Sequence, residues 1–364
     1  MRSGEGITSN SINPFSEYPC YGGNGLRGFT TRFTHDGRYA LIGRQGALCG
    51  NVLGVEGKLF ASEHAIVVTP SARTDIRWLT FVFGEMRLNR YSESSAQPGL
   101  SVSKLLGLAL ASPPTKEEQE AIAEALSDAD SLVESLEQLL EKKRHIKQGA
   151  MQDLLTGKKR LPGFSGKWNV KRLDKLGRWT GGMTPSMRNP DYWTSGTVPW
   201  ISSGDVKAAR LFTTAFAISE WAVKQKATTL LPANAIVVVT RSGILRKYLP
   251  VAMNMVPMAI NQDIKALLPD EDFLADYLLH SIQFNGDRIL GRCLKSGTTV
   301  ESIEFSWLKA FTILVPSIGE QTAIANVLSE LDSEIAALDG RLRKARQLKQ
   351  GMMQELLTGR IRLV

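Results

Sequence analysis

The sequence predicts an α+β chain in which two globular domains are separated by two long helices. The helices are expected to pack on each other as an antiparallel coiled coil, and the whole to form a pseudo-twofold internal repeat. Three observations carry this expectation. Residues 114–161 align with 316–363 at an offset of 202 without a gap, and about half of the positions are identical. Within each copy, apolar residues recur in steps of four and three along one narrow stripe. In the remaining segments, strand-like runs mix with short helical ones and show no regular β–α–β alternation. The chain then divides into a first globular domain (1–112), a first long helix (113–161), a second globular domain (162–314) and a second long helix (315–364).

The first domain opens close to the Gly4-Glu5-Gly6 stretch. Tyr18-Pro19-Cys20-Tyr21-Gly22-Gly23 parallels Val198-Pro199-Trp200-Ile201-Ser202-Ser203 in the second. Strands are expected at 39–42 and 64–68, then a helix at about 74–86. The second domain repeats the pattern with strands at 235–239 and 263–267 and a helix at about 271–285. In this alignment Gly43-Arg44-Gln45-Gly46 stands opposite Thr240-Arg241-Ser242-Gly243. Between Trp168 and Trp179, Leu173 and Leu176 suggest a short helix leading into the second domain. About twenty corresponding residues are missing ahead of the first domain; a misassigned start, a trimmed sequence and completion by the C-terminal tail are the three alternatives, and the last is the hypothesis taken.

Each long helix starts after a proline, and Thr115 with Glu118, or Ser317 with Glu320, fits a capping box. The first seam reads Ile122, Leu126, Ala129, Val133, Leu136, Leu140; the second reads Ile324, Leu328, Leu331, Ile335, Leu338, Leu342. Gly157 and Gly359 follow the last apolar pair and suit helix ends. Forty residues at 1.5 Å each make a rod of roughly 60 Å. A lone helix cannot hide such a seam, so the two copies are expected to cover one another; the alternative is that each helix caps its own neighbouring domain.

Composition bounds the function. Apolar residues are 43% and charged residues 22%, as in a folded globular protein. No run of 18 uncharged apolar residues exists, and the N-terminus lacks a signal-peptide core, so a cytoplasmic protein without membrane contact is expected. Cys20, Cys49 and Cys293 offer neither a disulfide framework nor a paired metal motif. The four histidines are scattered, and no nucleotide-phosphate loop or Asn/Asp-Pro-Pro-aromatic tetrapeptide is present. No metal site, bound cofactor or catalytic residue is therefore expected in this chain.

The net charge of +8 permits a nucleic-acid partner. Basic residues lie near aromatic ones in both domains, a mixture that suits DNA grooves. The candidates for DNA contact are Asn24, Arg27, Arg44 and Gln45 in the first domain. In the second they are Asp205, Lys207, Arg241, Ser242, Arg246 and Lys247. Arg and Gln suit guanine and adenine edges. A further basic group on each rod, Lys142, Lys143, Arg144 and Lys147, then Arg341, Arg343, Lys344, Arg346 and Lys349, fits the helix macrodipole without any DNA.

Pro-x-x-x-Glu-Gln-x-Ala-Ile-Ala-x-x-Leu-Ser, followed by a long helix ending Lys-Gln-Gly-x-Met-Gln-x-Leu-Leu-Thr-Gly, occurs at 114–157 and again at 316–359. This pattern resembles the specificity (S) subunits of type I restriction-modification systems. The stretches at 18–25 and 198–205 look like the openings of that family's target recognition domains. The resemblance implies that each domain reads half of a split double-stranded DNA target and that the paired helices set the gap. It implies docking of two methyltransferase (modification) subunits, which carry S-adenosylmethionine and methylate adenine N6. Two restriction subunits can add to that complex. The chain itself would catalyse nothing. The competing expectation is a coiled-coil scaffold or decoy that binds modification subunits without reading DNA.

Overall fold

The computed structural model describes residues 1–46, 48–92, 99–295 and 299–363. The first stretch forms β1 (Arg2–Ser3), β2 (Tyr18–Gly22), β3 (Gly25–Thr30), β4 (His35–Gly43), β5 (Val52–Ala61) and β6 (Ala65–Val68). Then come α1 (Ile76–Glu85), α2 (Val102–Leu106) and the long helix α3 (Lys116–Leu155). The second stretch forms β7 (Asn169–Arg172), β8 (Gly177–Gly181), β9 (Val198–Ile201), β10 (Arg210–Leu211), β11 (Phe216–Ile218) and α4 (Glu220–Lys224). It continues with β12 (Leu230–Leu231), β13 (Ile236–Val239), β14 (Val251–Asn254), β15 (Met258–Ile260) and β16 (Ile264–Pro269). Helices α5 (Ala275–Phe284), α6 (Gly286–Cys293) and α7 (Phe305–Ala310), strand β17 (Thr312–Val315) and the long helix α8 (Ile318–Leu356) close the chain.

These elements make two compact units. Unit 1 contains 1–139 together with 338–364; unit 2 contains 140–337. Each unit therefore owns one part of α3 and one part of α8. Met353 and Leu356 lie in the core of unit 1 and Leu363 packs against it, as their repeat counterparts Met151, Leu154 and Leu161 pack in unit 2.

Unit 1 carries a six-stranded sheet in the order β1-β6-β4-β5-β2-β3. Its pairs are antiparallel except β2 with β5. Asp75 caps α1 by accepting the Trp78 N–H at 2.9 Å, which relieves one free donor of the first turn. The apolar face of α1 (Ile76, Leu79, Val82, Phe83) meets Ala40, Ile42, Ile66 and Val68 of the sheet and Ile122 and Leu126 of α3.

Unit 2 splits its strands into a five-stranded sheet, β10-β14-β13-β16-β8, a four-stranded one, β11-β9-β15-β12, and the pair β17-β7. Its main core joins α5 (Tyr277, Leu278, Ile282) to Ile236, Val238 and Leu267 of the sheet. Leu154 and Leu155 of α3 and Ile324 and Leu328 of α8 complete it. The short helix expected near Leu173 is a strand and a single 3-10 turn instead. The backbone of 169–172 pairs with β17, and this pairing overrides the three-residue leucine spacing.

The two long helices run antiparallel within each unit, as the partner numbers show. In unit 1 Arg346 binds Glu137 and Lys349 binds Asp130; in unit 2 Lys143 binds Glu334 and Lys147 binds Asp332. The seam residues Ile122, Leu126, Leu136, Leu140, Ile324, Leu328, Leu338 and Leu342 are buried, while Val133, Leu331 and Ile335 are half-buried. Gly157 and Gly359 adopt φ of 70° and 72°, left-handed turns that end both helical segments where expected.

Candidate nucleic-acid interface and the helix joints

The repeated Glu-Gln dipeptide builds the same joint twice. Arg362 Nε and Nη2 donate to Glu118 Oε1 and Oε2 at 2.5 and 2.7 Å. Arg160 Nε and Nη2 donate to Glu320 Oε1 and Oε2 at 2.5 and 2.6 Å. These fork-shaped pairs hold the chain leaving one long helix against the start of the other. The carboxylates of Glu118 and Glu320 are 6% and 2% exposed, so each charge depends on its arginine. Hydrogen bonding from Arg362 holds Glu118 below the usual carboxylate range and raises the arginine in turn. The adjacent glutamines tie the helix to the globular part. Gln119 Oε1 accepts the Asp75 N–H at 2.9 Å, and Gln321 Oε1 accepts the Leu274 N–H at 3.0 Å.

The joints correct the expected capping boxes. Thr115 Oγ1 does accept the Glu118 N–H at 3.2 Å. The Glu118 and Glu320 carboxylates, however, turn to arginine, because two charge-assisted bonds outweigh one to a backbone N–H. Lys147 with Asp332 and Lys349 with Asp130 form a further equivalent pair of rungs. Much of the basic charge on the rods is thus neutralised between the helices. The signal was present in the sequence: Glu118, Gln119, Asp130, Lys147 and Arg160 are identical in the second copy.

In unit 1 the candidate DNA residues fall into one neighbourhood. Asn24 is exposed in the turn between β2 and β3, and Arg27 is exposed on β3. That turn lies against the end of β4. A Cβ on Gly23 would stand 3.0 Å from the His64 carbonyl and 3.2 Å from that of Gln45; one on Gly43 would stand 2.3 Å from the Gly23 carbonyl. Only glycine lets these backbones approach so closely. Arg44 is half-buried, and its guanidinium donates to Ser3 Oγ at 3.2 Å. Gln45 is exposed and its Oε1 sits 3.0 Å from His64 Nδ1.

In unit 2 the candidates form two groups. Arg241, Ser242 and Arg246 surround the segment at 301–302: Arg241 bridges Ser302, the Ser242 N–H donates to the Glu301 carbonyl, and Arg246 Nε meets Glu301 at 2.5 Å. Lys207 lines a separate cleft with Tyr248, the neighbour of the exposed Lys247. Asp205 is a turn-holding residue. It accepts from Ser202 N (2.8 Å), Ser202 Oγ (2.6 Å) and Ala215 N (2.8 Å), which leaves little acceptor capacity for a base.

The hydrogen bonds also shift the expected alignment by one residue. Arg44 N–H donates to the His64 carbonyl and the Arg44 carbonyl accepts from Leu100; Thr240 makes the equivalent bonds to Asp263 and Ile303. Arg44 therefore stands opposite Thr240, and Gln45 opposite Arg241. A slip of one reverses the face on which a strand side chain lies.

The comparisons with known proteins bear on this doubly built architecture. The family model for the type I restriction modification DNA specificity domain matches residues 4–143 and again 165–345. The chain belongs to this family. It is 38% identical over 185 residues to the EcoR124I/EcoR124II specificity subunit of Escherichia coli, covering 51% of this chain and 46% of that one. The EcoprrI specificity subunit of Escherichia coli is 45% identical over 140 residues, 37% of this chain and 35% of the relative. The MjaIX specificity subunit of Methanocaldococcus jannaschii is 30% identical over 171 residues, 46% of this chain and 38% of the relative. The matching stretches thus span less than half the length of these relatives. Among solved structures, the type I S subunit from M. genitalium superimposes with a TM-score of 0.69 at 14% identity, over 98% of this chain and 92% of that one. A chain from a type I restriction-modification assembly superimposes with a TM-score of 0.51 at 13% identity, over 99% and 95%. These two likenesses concern the fold.

No helix among the described residues is long and apolar enough to cross a membrane. The three cysteines are free and buried.

Proposed function

We propose that the chain is a non-catalytic subunit that reads a two-part double-stranded DNA target. Each unit recognises one half-site, and the paired helices set the gap between them. It docks two adenine-N6 methyltransferase subunits, which bring S-adenosylmethionine, and restriction subunits can join them in the bacterial cytoplasm. The observation that carries this reading is the twofold match of one DNA specificity domain, with a closely matching helix joint in each unit. In support, two half-sites are read from one face of a duplex when they lie about one turn, roughly 34–36 Å, apart. A stiff helix pair suits such a span.

The deciding experiment is co-expression with a type I methyltransferase subunit, followed by mapping of methylated adenines. A two-part motif is expected. Partner binding without any motif would favour the scaffold reading. Within unit 1, Arg44→Ala is expected to relax one half-site and leave the other intact. Equal weakening on all sequences would make Arg44 a phosphate contact. Inserting one heptad into each long helix is expected to lengthen the tolerated gap while preserving both half-sites; an unchanged gap would remove the spacer role.

A further inference from the structure

The end of the β4–β6 pair in unit 1 brings a histidine beside a candidate base-reading residue. Strand pairing runs to Gly43↔Ala65, and the Arg44 N–H donates to the His64 carbonyl at 2.9 Å, so the register carries on past the strands. It sets Gln45 against the turn at Glu63 and His64. Gln45 Oε1 sits 3.0 Å from His64 Nδ1, and Glu63 Oε1 sits 3.2 Å from His64 Nε2. The other Glu63 oxygen accepts the Ile7 N–H at 3.3 Å, which holds the carboxylate in place. Gln45 is exposed, whereas His64 and Glu63 behind it are half-buried.

The row Glu63, His64, Gln45 has a direction. An ionised carboxylate only accepts, so His64 Nε2 carries a hydrogen. A neutral imidazole then has a bare Nδ1, which accepts from the Gln45 amide NH2 and turns the amide oxygen outward. An imidazolium carries a hydrogen on Nδ1 as well, donates it to Gln45 Oε1 and turns the NH2 outward. Oε1 against Nδ1 is the second arrangement. The two ends of the amide have the same shape, so the hydrogen bonds decide between them. Among the described residues the other charged groups at this end are engaged elsewhere. Arg44 donates to Ser3 Oγ, Glu5 pairs with Arg32 at 3.1 Å, Arg2 stands beside Val67, and the Arg27 stem lies along Gly22. Unit 2 has no such row. In the hydrogen-bonded register Arg241 stands opposite Gln45 and Asp263 opposite His64. Arginine donates only, whatever its neighbour does.

We propose that His64, braced by Glu63, is a positioning residue for base recognition by Gln45, and that its protonation selects whether Gln45 offers an acceptor or a donor. This rests on the DNA-reading function proposed above. With neutral His64 the outward oxygen suits the amino group of adenine or cytosine. With the imidazolium the outward NH2 suits the N7 and O6 acceptors of guanine. Imidazoles exchange their proton between about pH 5 and 8. One base position in one half-site therefore follows pH, and the half-site read by unit 2 does not.

The test measures binding of the full chain, co-expressed with a type I methyltransferase subunit, to duplexes carrying each base pair at each target position, at about pH 8 and about pH 5.5. At one position of one half-site, the preference for an amino-bearing base over guanine is expected to fall about tenfold at the lower pH. His64→Gln, which keeps a donor and an acceptor but has no titrating ring, is expected to abolish this shift while the half-site of unit 2 is still read. Gln45→Ala is expected to lose the preference at that position at both pH values. A merely structural His64 would instead weaken binding without any change of preferred base. Sequence-specific binding with the same preferences at both pH values, or a shift that survives His64→Gln, would overturn the proposal and leave the DNA-reading function standing. Binding without sequence preference at either pH would overturn that function and this proposal with it.

Discussion

Units 1 and 2 share a joint and differ almost everywhere else. At the joint, Glu118 and Glu320, Gln119 and Gln321, and Arg362 and Arg160 make the same bonds in both. Away from it, unit 1 spends its strands on a single six-stranded sheet with a long β4–β5 hairpin, whereas unit 2 divides them among three sheets and adds α6. Their candidate DNA loops both carry arginine, but Arg44 and Arg241 stand one residue apart in the hydrogen-bonded register. The lesson is that the chain keeps the attachment of helix to globular part fixed and lets the remainder vary. A subunit whose targets change through its loops would be built on those lines.

The largest effect that could break this comparison lies in the seam. Leu126 and Leu328 are equivalent and both fully buried. Leu126→Ala and Leu328→Ala are each expected to cost about 4 kcal/mol in urea unfolding. A large cost in only one unit would show that the repeat is not energetically symmetric.

The next effect sharpens the comparison at a position where the units disagree. Phe81 and His280 occupy the same place on α1 and α5. Phe81 sits under Lys349, while His280 is buried beside Ser329 and faces Asp332, Lys147, Asp276 and Arg210. Desolvation pushes the His280 imidazole down to about 4, against 6.5 when unfolded. The unfolded state therefore binds the proton more readily. Stability from this site is full above about pH 6.5 and falls as the pH drops toward 4, by about 3 kcal/mol. His280→Phe is expected to flatten unit 2's acid dependence toward that of unit 1, as followed by thermal melts across pH 4–7. An unchanged acid profile would assign the dependence to other groups.

The smallest effect concerns the rungs. Lys147→Met and Lys349→Met are each expected to cost about 0.5 kcal/mol, less at high salt, because these pairs are only partly shielded. A double-mutant cycle with Asp332→Asn and Asp130→Asn measures each pair.

The long helices were legible because their period is unambiguous over forty residues and Gly157 and Gly359 mark their ends. The joint was legible as identity between copies but not as chemistry. Nothing in a one-dimensional pattern tells Glu118 to meet Arg362 rather than its own capping threonine. The one-residue slip at Arg44 went unseen because Ala40 to Gly43 are all buried, so that run lacks the alternation that would set a register. Strands of two or three residues, such as β10 and β12, carry too little pattern to register at all. Among the candidate site residues, the turn-holding bonds of Asp205 were not legible, because Ala215 and the Ser202 turn are brought to it only by the fold.

The division of the helices between the units has a consequence for biosynthesis. Unit 2 is complete once Ala337 has left the ribosome, whereas unit 1, begun first, must wait for 338–364. At 5–20 residues per second the first 139 residues spend roughly ten to forty-five seconds without the helix that covers Ile122 and Leu126. The earlier-made half is thus the later to mature, and a chain released just after residue 337 carries a complete second unit and an incomplete first one. Chaperone demand and proteolytic clearance of interrupted chains are expected to concentrate on unit 1.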